Sequence, residues 1–488
     1  MKVRFIFLVA AVLFLGARPS WAQSEPRVDT AALGRVLESL SAGKPGKSKV
    51  GILVRDVMSG QDIFAFNGSE PLNPASNTKI VTAACALKVL GPEFRFYTSI
   101  HGRVEDGVVR GPIVLKGGAD PMLTTRELWD MARTIRAMGV RRVEGGVLVD
   151  DTYFDTENMP YAFDQQPSEV AAFRAPVGAA SLNFNTLAVT IGSGPSPMSP
   201  AQVSIDPPGY ADITNETVTM SNGANTPRVS LSGEESRAKM RVWGQVPAGS
   251  RAVTYTRRID NPTFLSGHGL KAVLEAVGID VSGGVQSGVL PSGLPLLAQN
   301  ASVPLSEILW HAGKMSNNFV TETVFKTMGA ETVKGPGSWS GAVAAASKIL
   351  ESWGIPPGAY TYRNGSGLFD ANLFSAEQLV TVLVSAYLDA TIRPEFVSQL
   401  ATGGVDGTIR DRYAKPPTKR FVRAKTGTLN SVSSLAGYVF DAQGRRPIAF
   451  AILVTNADGY VSSARAYQEK IVIAIAEALH SEPRKRNP

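Results

Sequence analysis

Two short strand patterns near the start of this chain cannot form a stable sheet by themselves. Residues 49–56 and 62–66 read as strands joined by a turn at Ser59-Gly60. A two-stranded hairpin is marginal in water and needs more strands or a covering helix. The next comparable pair, residues 436–440 and 447–454 around a turn at 441–446, lies far downstream. Helical patterns accompany both ends: 30–40 and 77–90 early, then 305–314, 319–328, 341–353, 376–388 and 464–479. The stretch between is different. It has short apolar runs cut by Gly, Pro, Asn and Asp, with helical spacing mainly near 126–138 and 269–277. The economical reading is one split α+β domain, residues 23–93 and 291–488. Its antiparallel sheet is flanked by helices and completed by strands from both ends. A large, mostly β insert at 94–290, of one or two small units, interrupts it.

Residues 1–22 read as a secretory signal rather than as part of the fold. Lys2 and Arg4 precede an apolar run from Phe5 to Gly16, and Ser20-Trp21-Ala22 offers a cleavage site. The alternative is an uncleaved anchor or a core helix, but the polar stretch from Gln23 follows at once. No other segment is long and apolar enough to span a bilayer, so membrane contact is at most peripheral. The expected location is outside the cytoplasm, in the periplasm. The signal holds Lys2, Arg4 and Arg18 and no acids, which leaves 46 basic against 42 acidic residues. That mild excess, without an aromatic-studded basic stripe, argues against nucleic acid. Cys85 is the only cysteine and sits in an apolar helical run, so it reads as a buried thiol and no internal disulfide exists.

Three motifs carry the chemistry. Ser76-Asn77-Thr78-Lys79 opens the 77–90 helix, where Ser and Lys three apart share a face and unpaired first-turn N–H groups favour an oxyanion. A lysine becomes a base only if burial or a second cation lowers its pKa. The pattern alone is weak: Ser41 with Lys44 and Ser236 with Lys239 match it too, and an N-cap serine beside a solvated lysine is the ordinary reading. Ser316-Asn317-Asn318 falls between two helical segments. There Ser316 can pass a proton, and Asn318 can hold a lysine ammonium and a substrate amide. A simple N-cap is its bland reading, and Ser181-Leu182-Asn183 has the same spacing. Lys425-Thr426-Gly427-Thr428 follows the strand-like residues 420–424. Lys425 with Thr426 or Thr428 could hold a carboxylate, and Gly427 would let a peptide pair along the strand edge. Jointly the three supply nucleophile, base, proton relay and anchor, the serine–lysine constellation of penicillin-binding proteins and class A β-lactamases.

With these motifs the chain resembles the D-alanyl-D-alanine carboxypeptidase/endopeptidase family, the class C low-molecular-mass penicillin-binding proteins of peptidase family S13. The resemblance spans nearly the whole chain after the signal. It includes Gly117-Gly118-Ala119-Asp120-Pro121, Asp150-Asp151 with Phe154, Ser181-Leu182-Asn183-Phe184-Asn185, Asn364-Gly365-Ser366-Gly367-Leu368 and Gly404-Val405-Asp406-Gly407-Thr408. The 240-residue gap from Ser76 to Ser316 also resembles the family, which carries an insert there. The resemblance implies a β-lactamase/transpeptidase-like fold and a serine carboxypeptidase, with D,D-endopeptidase activity expected beside it. Its substrates would be peptidoglycan stem peptides, its inhibitors β-lactams. It implies Ser76 as nucleophile, Lys79 as base, and Ser316 with Asn318 as relay. Lys425, Thr426 and Thr428 would bind the terminal carboxylate, and the N–H groups of Ser76 and Thr428 would form the oxyanion hole. No cofactor or metal is implied, and a homodimer is left open. Asp150 or Asp151 are candidates to hold a substrate amine, against the plainer reading of a turn-forming pair. One stretch departs from the family: Asp-Gly-Ser-Gly-Leu-Ser-Arg is usual, and this chain ends it with Phe369-Asp370. That reversal of charge bears on which stem-peptide side chain is accepted.

The sequence admits two rival readings. A β-lactamase or esterase of the same fold would share the motifs, though class C β-lactamases usually have Tyr where Ser316 stands. A non-catalytic, penicillin-recognising wall-binding module would predict damaged motifs, and all three are whole. A histidine hydrolase or metalloenzyme is disfavoured: the four histidines (His101, His268, His311, His480) form no HExxH, and no GxSxG elbow exists.

Overall fold

The computed structural model describes residues 28–167, 169–233 and 236–481. The signal-like segment and the basic tail at 483–488 lie outside the described residues. The six-stranded sheet takes strands from both ends of the chain. We label them β1 (Lys49–Asp56), β2 (Asp62–Phe66), β3 (Ala401–Thr402), β4 (Val422–Leu429), β5 (Val432–Val439) and β6 (Ile448–Thr455). Their spatial order is β3-β4-β5-β6-β1-β2, antiparallel throughout. The early hairpin is therefore completed by β6, which pairs with β1 from Lys49↔Thr455 to Asp56↔Ile448.

The helices are α1 (Thr30–Ser41), α2 (Thr78–Leu90), α3 (Thr125–Ala137), α4 (Pro262–Ala276), α5 (Leu305–Gly313), α6 (Asn318–Thr332), α7 (Trp339–Ser352), α8 (Ala376–Leu388), α9 (Arg393–Gln399) and α10 (Val461–His480). Helices α1 and α10 cover one face of the sheet, where Val50, Ile52 and Val54 of β1 point. Helices α2 and α5 to α9 cover the other, where Leu53 points. Strands β5 and β6 are buried on both faces, so they read as unbroken apolar runs rather than alternating ones. Helix α2 lies at the centre, with every residue from Thr78 to Leu87 buried. Burial pushes the Cys85 thiol well above its ordinary range, which leaves it inert.

The middle of the chain builds its own core from α3, α4 and several small sheets. Its five-stranded sheet mixes directions: Ile113–Lys116 and Val147–Asp150 run parallel, joined through α3. Strand Leu296–Ala301, beyond the expected boundary at 290, pairs with Tyr97–His101 in this sheet, so the chain enters and leaves it on neighbouring strands. Helix α4 begins seven residues before the apolar pattern suggests. Asn261 caps it, and Pro262 opens it. Glycines disguise this first half for a packing reason: a Cβ on Gly267 would sit 2.4 Å from Val285 Cγ1.

A buried cation fastens this middle region to α6. Lys326 is fully covered, with Nζ 2.6 Å from the Asp155 carboxylate and over the Trp339 ring at 4.2 Å. It also donates to the Glu157 carbonyl at 2.6 Å. Burial lowers its pKa, and Asp155 opposes that. Removing one partner of a buried pair strands the other. Because Asp155 keeps 29% of its side chain exposed, Lys326→Met is expected to cost about 2–3 kcal/mol rather than the full penalty. Urea unfolding would read this as a lower midpoint; an unchanged midpoint would show that the pair contributes nothing.

Candidate active site

The sequence around Ser76 folds into a tight entry to α2. Asn73 accepts the Ala75 N–H at 2.8 Å through Oδ1, and Ala75 takes a left-handed φ of 45°. A 3₁₀ turn, Ala75–Asn77, then leads into α2 with Ser76 half-buried at its mouth. Asn77 is wholly buried, and its amide nitrogen can donate to the Lys425 carbonyl at 2.8 Å while its oxygen meets Leu435 and Ala436 N–H groups at 3.2 Å. That side chain ties the nucleophile's turn to β4 and β5.

Lys79 comes up one turn later with its Nζ buried. It lies 2.9 Å from Ser76 Oγ, 2.7 Å from Asn318 Oδ1 and 2.7 Å from the Ser366 carbonyl. Burial holds its pKa well below the usual lysine range, and the nearby Lys425 charge adds to that, with Glu322 opposing. Neutral Lys79 keeps two N–H bonds. Asn318 and Ser366 accept both, which leaves the lone pair for Ser76 Oγ. Lys425 is also wholly buried and donates to Ser316 Oγ and to the Thr426 carbonyl, each at 2.8 Å. Burial lowers its pKa to about 7. Ser316 sits in a left-handed conformation, φ 57°, in the link between α5 and α6. A non-glycine residue held this way costs energy and commonly marks a functional site.

Lys425 to Thr428 lie within β4 rather than after it, paired with Ala436 to Ser433 of β5. The Thr-Gly-Thr composition hides this strand. Gly427 is required by packing, since a Cβ there would fall 2.1 Å from Ser434 Oγ and 2.8 Å from the Pro74 carbonyl. On its other side β4 is covered by β3 only opposite Ala424 and Arg423. From Lys425 onward its outer edge is open for a peptide to pair with. The cleft beside it, about 480 Å³, is lined by Ser76, Ser316, Asn318, Thr428, Asn430 and Asp370, and by Gln165, Gln166 and Phe173 from the insert.

The structure thus gathers Ser76, Lys79, Ser316, Asn318 and Lys425 to Thr428 at one place. Asp150 and Asp151 do not join them. Asp150 is buried and accepts from Thr152 and from the Leu290 N–H. Asp151 accepts from the Ala180 N–H and from Thr263 Oγ1. Both carboxylates are consumed in holding turns of the insert, and neither lines the cleft. The Asn318 amide nitrogen, expected to face substrate, donates instead to the Phe173 carbonyl at 3.0 Å.

Glu322 belongs to no motif, yet it supports the site. It is wholly buried on α6 and accepts from the Gly365 and Ser366 N–H groups and from Trp339. It therefore fixes the loop whose Ser366 carbonyl holds Lys79. A lone acid four residues after Asn318, inside an apolar helical run, was the available signal.

This α+β fold and its Ser–Lys–Ser–Lys cluster define a serine hydrolase of the penicillin-binding and β-lactamase-like class. The family model for the D-Ala-D-Ala carboxypeptidase 3 (S13) family matches residues 34–477, and the chain belongs to that family. A D-alanyl-D-alanine carboxypeptidase of Actinomadura sp. (strain R39) is 33% identical over 457 residues, covering 89% of this chain and 82% of that protein. The fold is shared with penicillin binding protein 4 (dacB) of Haemophilus influenzae, solved in complex with a β-lactam. That match has TM-score 0.71 and 23% identity, over 91% of this chain and 99% of the other. A predatory peptidoglycan endopeptidase of Bdellovibrio bacteriovorus matches with TM-score 0.54 and 16% identity, over 90% and 97% of the two chains.

Proposed function

We propose that this protein releases the terminal D-alanine from peptidoglycan stem pentapeptides and also cleaves D-alanyl crosslinks, through an acyl-enzyme on Ser76. The observation that carries the reading is the buried Lys79 amine, 2.9 Å from Ser76 Oγ with its other two donors occupied. Lys79 takes the hydroxyl proton as Ser76 Oγ bonds to the penultimate D-alanyl carbonyl carbon. The developing oxyanion is held by the N–H groups of Ser76 and Thr428. Ser316, positioned by Lys425, relays the proton to the leaving nitrogen as the C–N bond breaks, and Asn318 keeps Lys79 aligned. Water then hydrolyses the ester. β-Lactams would acylate the same oxygen, as the β-lactam complex of the Haemophilus relative suggests. The endopeptidase half is supported by the Bdellovibrio likeness in fold and by the open edge of β4. The N-terminal basic-apolar segment supports export to the periplasm.

The test uses the purified protein with a pentapeptide, with crosslinked muropeptides and with benzylpenicillin. Free D-alanine, cleaved crosslinks and a penicillin adduct on the peptide containing Ser76 are expected. D-Alanine release without crosslink cleavage would remove the endopeptidase half. An adduct on another residue would overturn the mechanism.

A further inference from the structure

The motif reading gave Lys425 the task of meeting the substrate's terminal carboxylate, and its placement does not suit that task. Its side chain is wholly buried on the α2 side of β4, and its ammonium is engaged by Ser316 and by a backbone carbonyl. Successive side chains of a strand face opposite ways. Thr426 and Thr428 therefore turn to the other side, toward α10. There they line a small polar hollow, about 240 Å³, with Thr408, Ser433, Arg412 and Arg465.

The two arginines differ. Arg412 is neutralised by Glu469 at 2.6 Å. Arg465 is exposed, and among the described residues no carboxylate pairs with it. Its Nη2 donates to Thr428 Oγ1 at 3.3 Å. It is thus an uncompensated cation bonded to the residue whose backbone N–H completes the proposed oxyanion hole. A guanidinium beside two hydroxyls is suited to a carboxylate, which it can grip with two parallel N–H bonds.

We propose that Arg465, with the Thr426 and Thr428 hydroxyls, is the cation that selects substrates bearing a free carboxylate on the leaving residue. This rests on the Ser76 acyl-enzyme reading and deepens it. Lys425 is left as the positioning group for Ser316.

The test compares one pentapeptide as the free acid and as its C-terminal amide, with wild type, Arg465→Ala and Arg465→Lys. Wild type is expected to prefer the acid. Arg465→Ala should lose about 10- to 100-fold in kcat/KM on the acid, the range for one charge-assisted contact. Its kcat/KM on the amide should stay near that of wild type, so the preference collapses. Arg465→Lys should restore part of it, since the charge returns without the two-pronged geometry. Should Arg465→Ala keep the preference, or lose equally on both peptides, the assignment to Arg465 is overturned while the acyl-enzyme reading stands. Failure of wild type to cleave either peptide would overturn both.

Discussion

Lys79→Met is expected to slow acylation of Ser76 by about three to four orders of magnitude while the protein remains folded. Methionine nearly matches the volume of the lysine stem, so α2 can keep its packing. What disappears is the amine lone pair facing Ser76 Oγ. Trapping with a fluorescent penicillin would measure the rate, and a loss below about tenfold would contradict a base at this position. A second readout separates chemistry from structure. The Lys79 pKa is lowered in the folded protein, so between its folded and unfolded values the unfolded chain binds more protons. Stability from this residue therefore rises with pH across that window and reaches its full value only above the unfolded lysine pKa. The variant lacks the term. The stability of wild type relative to Lys79→Met should climb as pH rises toward the unfolded lysine pKa, and a flat difference would mean that the amine is not desolvated.

The residues that were legible in the sequence are those whose local pattern and role coincide. Strands β1 and β2 were legible as two short strand-like segments joined by a turn, and α2 from a long apolar run closed by Gly91-Pro92. The three motifs were legible because each places a particular atom type at an element end or edge. What stayed hidden was set by contacts between distant segments. From the sequence, strand β4 reads as ending at Ala424, because Gly427 interrupts the pattern; that glycine answers to Ser434 on the paired strand and to Pro74 in the distant turn before the nucleophile. Helix α9 is seven residues long, too short for a periodic signal. Asp150 and Asp151 looked available because only the fold reveals that Leu290, Ala180 and Thr263 already occupy them. Arg465 carries no motif at all, and what distinguishes it is that among the described residues no carboxylate pairs with it.

Lys425→Met should cut acylation by about 10²- to 10³-fold, the usual effect of losing one preorganised donor, and should reshape the pH profile. Two buried lysines share this site, and each favours the neutral form of the other. In wild type, kcat/KM should rise as Lys79 loses its proton. It should fall as Lys425 loses its own, near pH 7. These limbs belong to the coupled pair rather than to either residue alone. Without Lys425 the nearest positive charge is gone, so Lys79 holds its proton more tightly and the rising limb moves to higher pH. The falling limb flattens, because the group that titrated there is absent. A general disturbance of the cleft would lower the rate at every pH without moving either limb. If the variant's profile merely scales down onto that of wild type, the electrostatic coupling between Lys79 and Lys425 is not what keeps Lys79 a base. Burial by α6 and the Gly365–Ser366 loop would then have to account for it unaided.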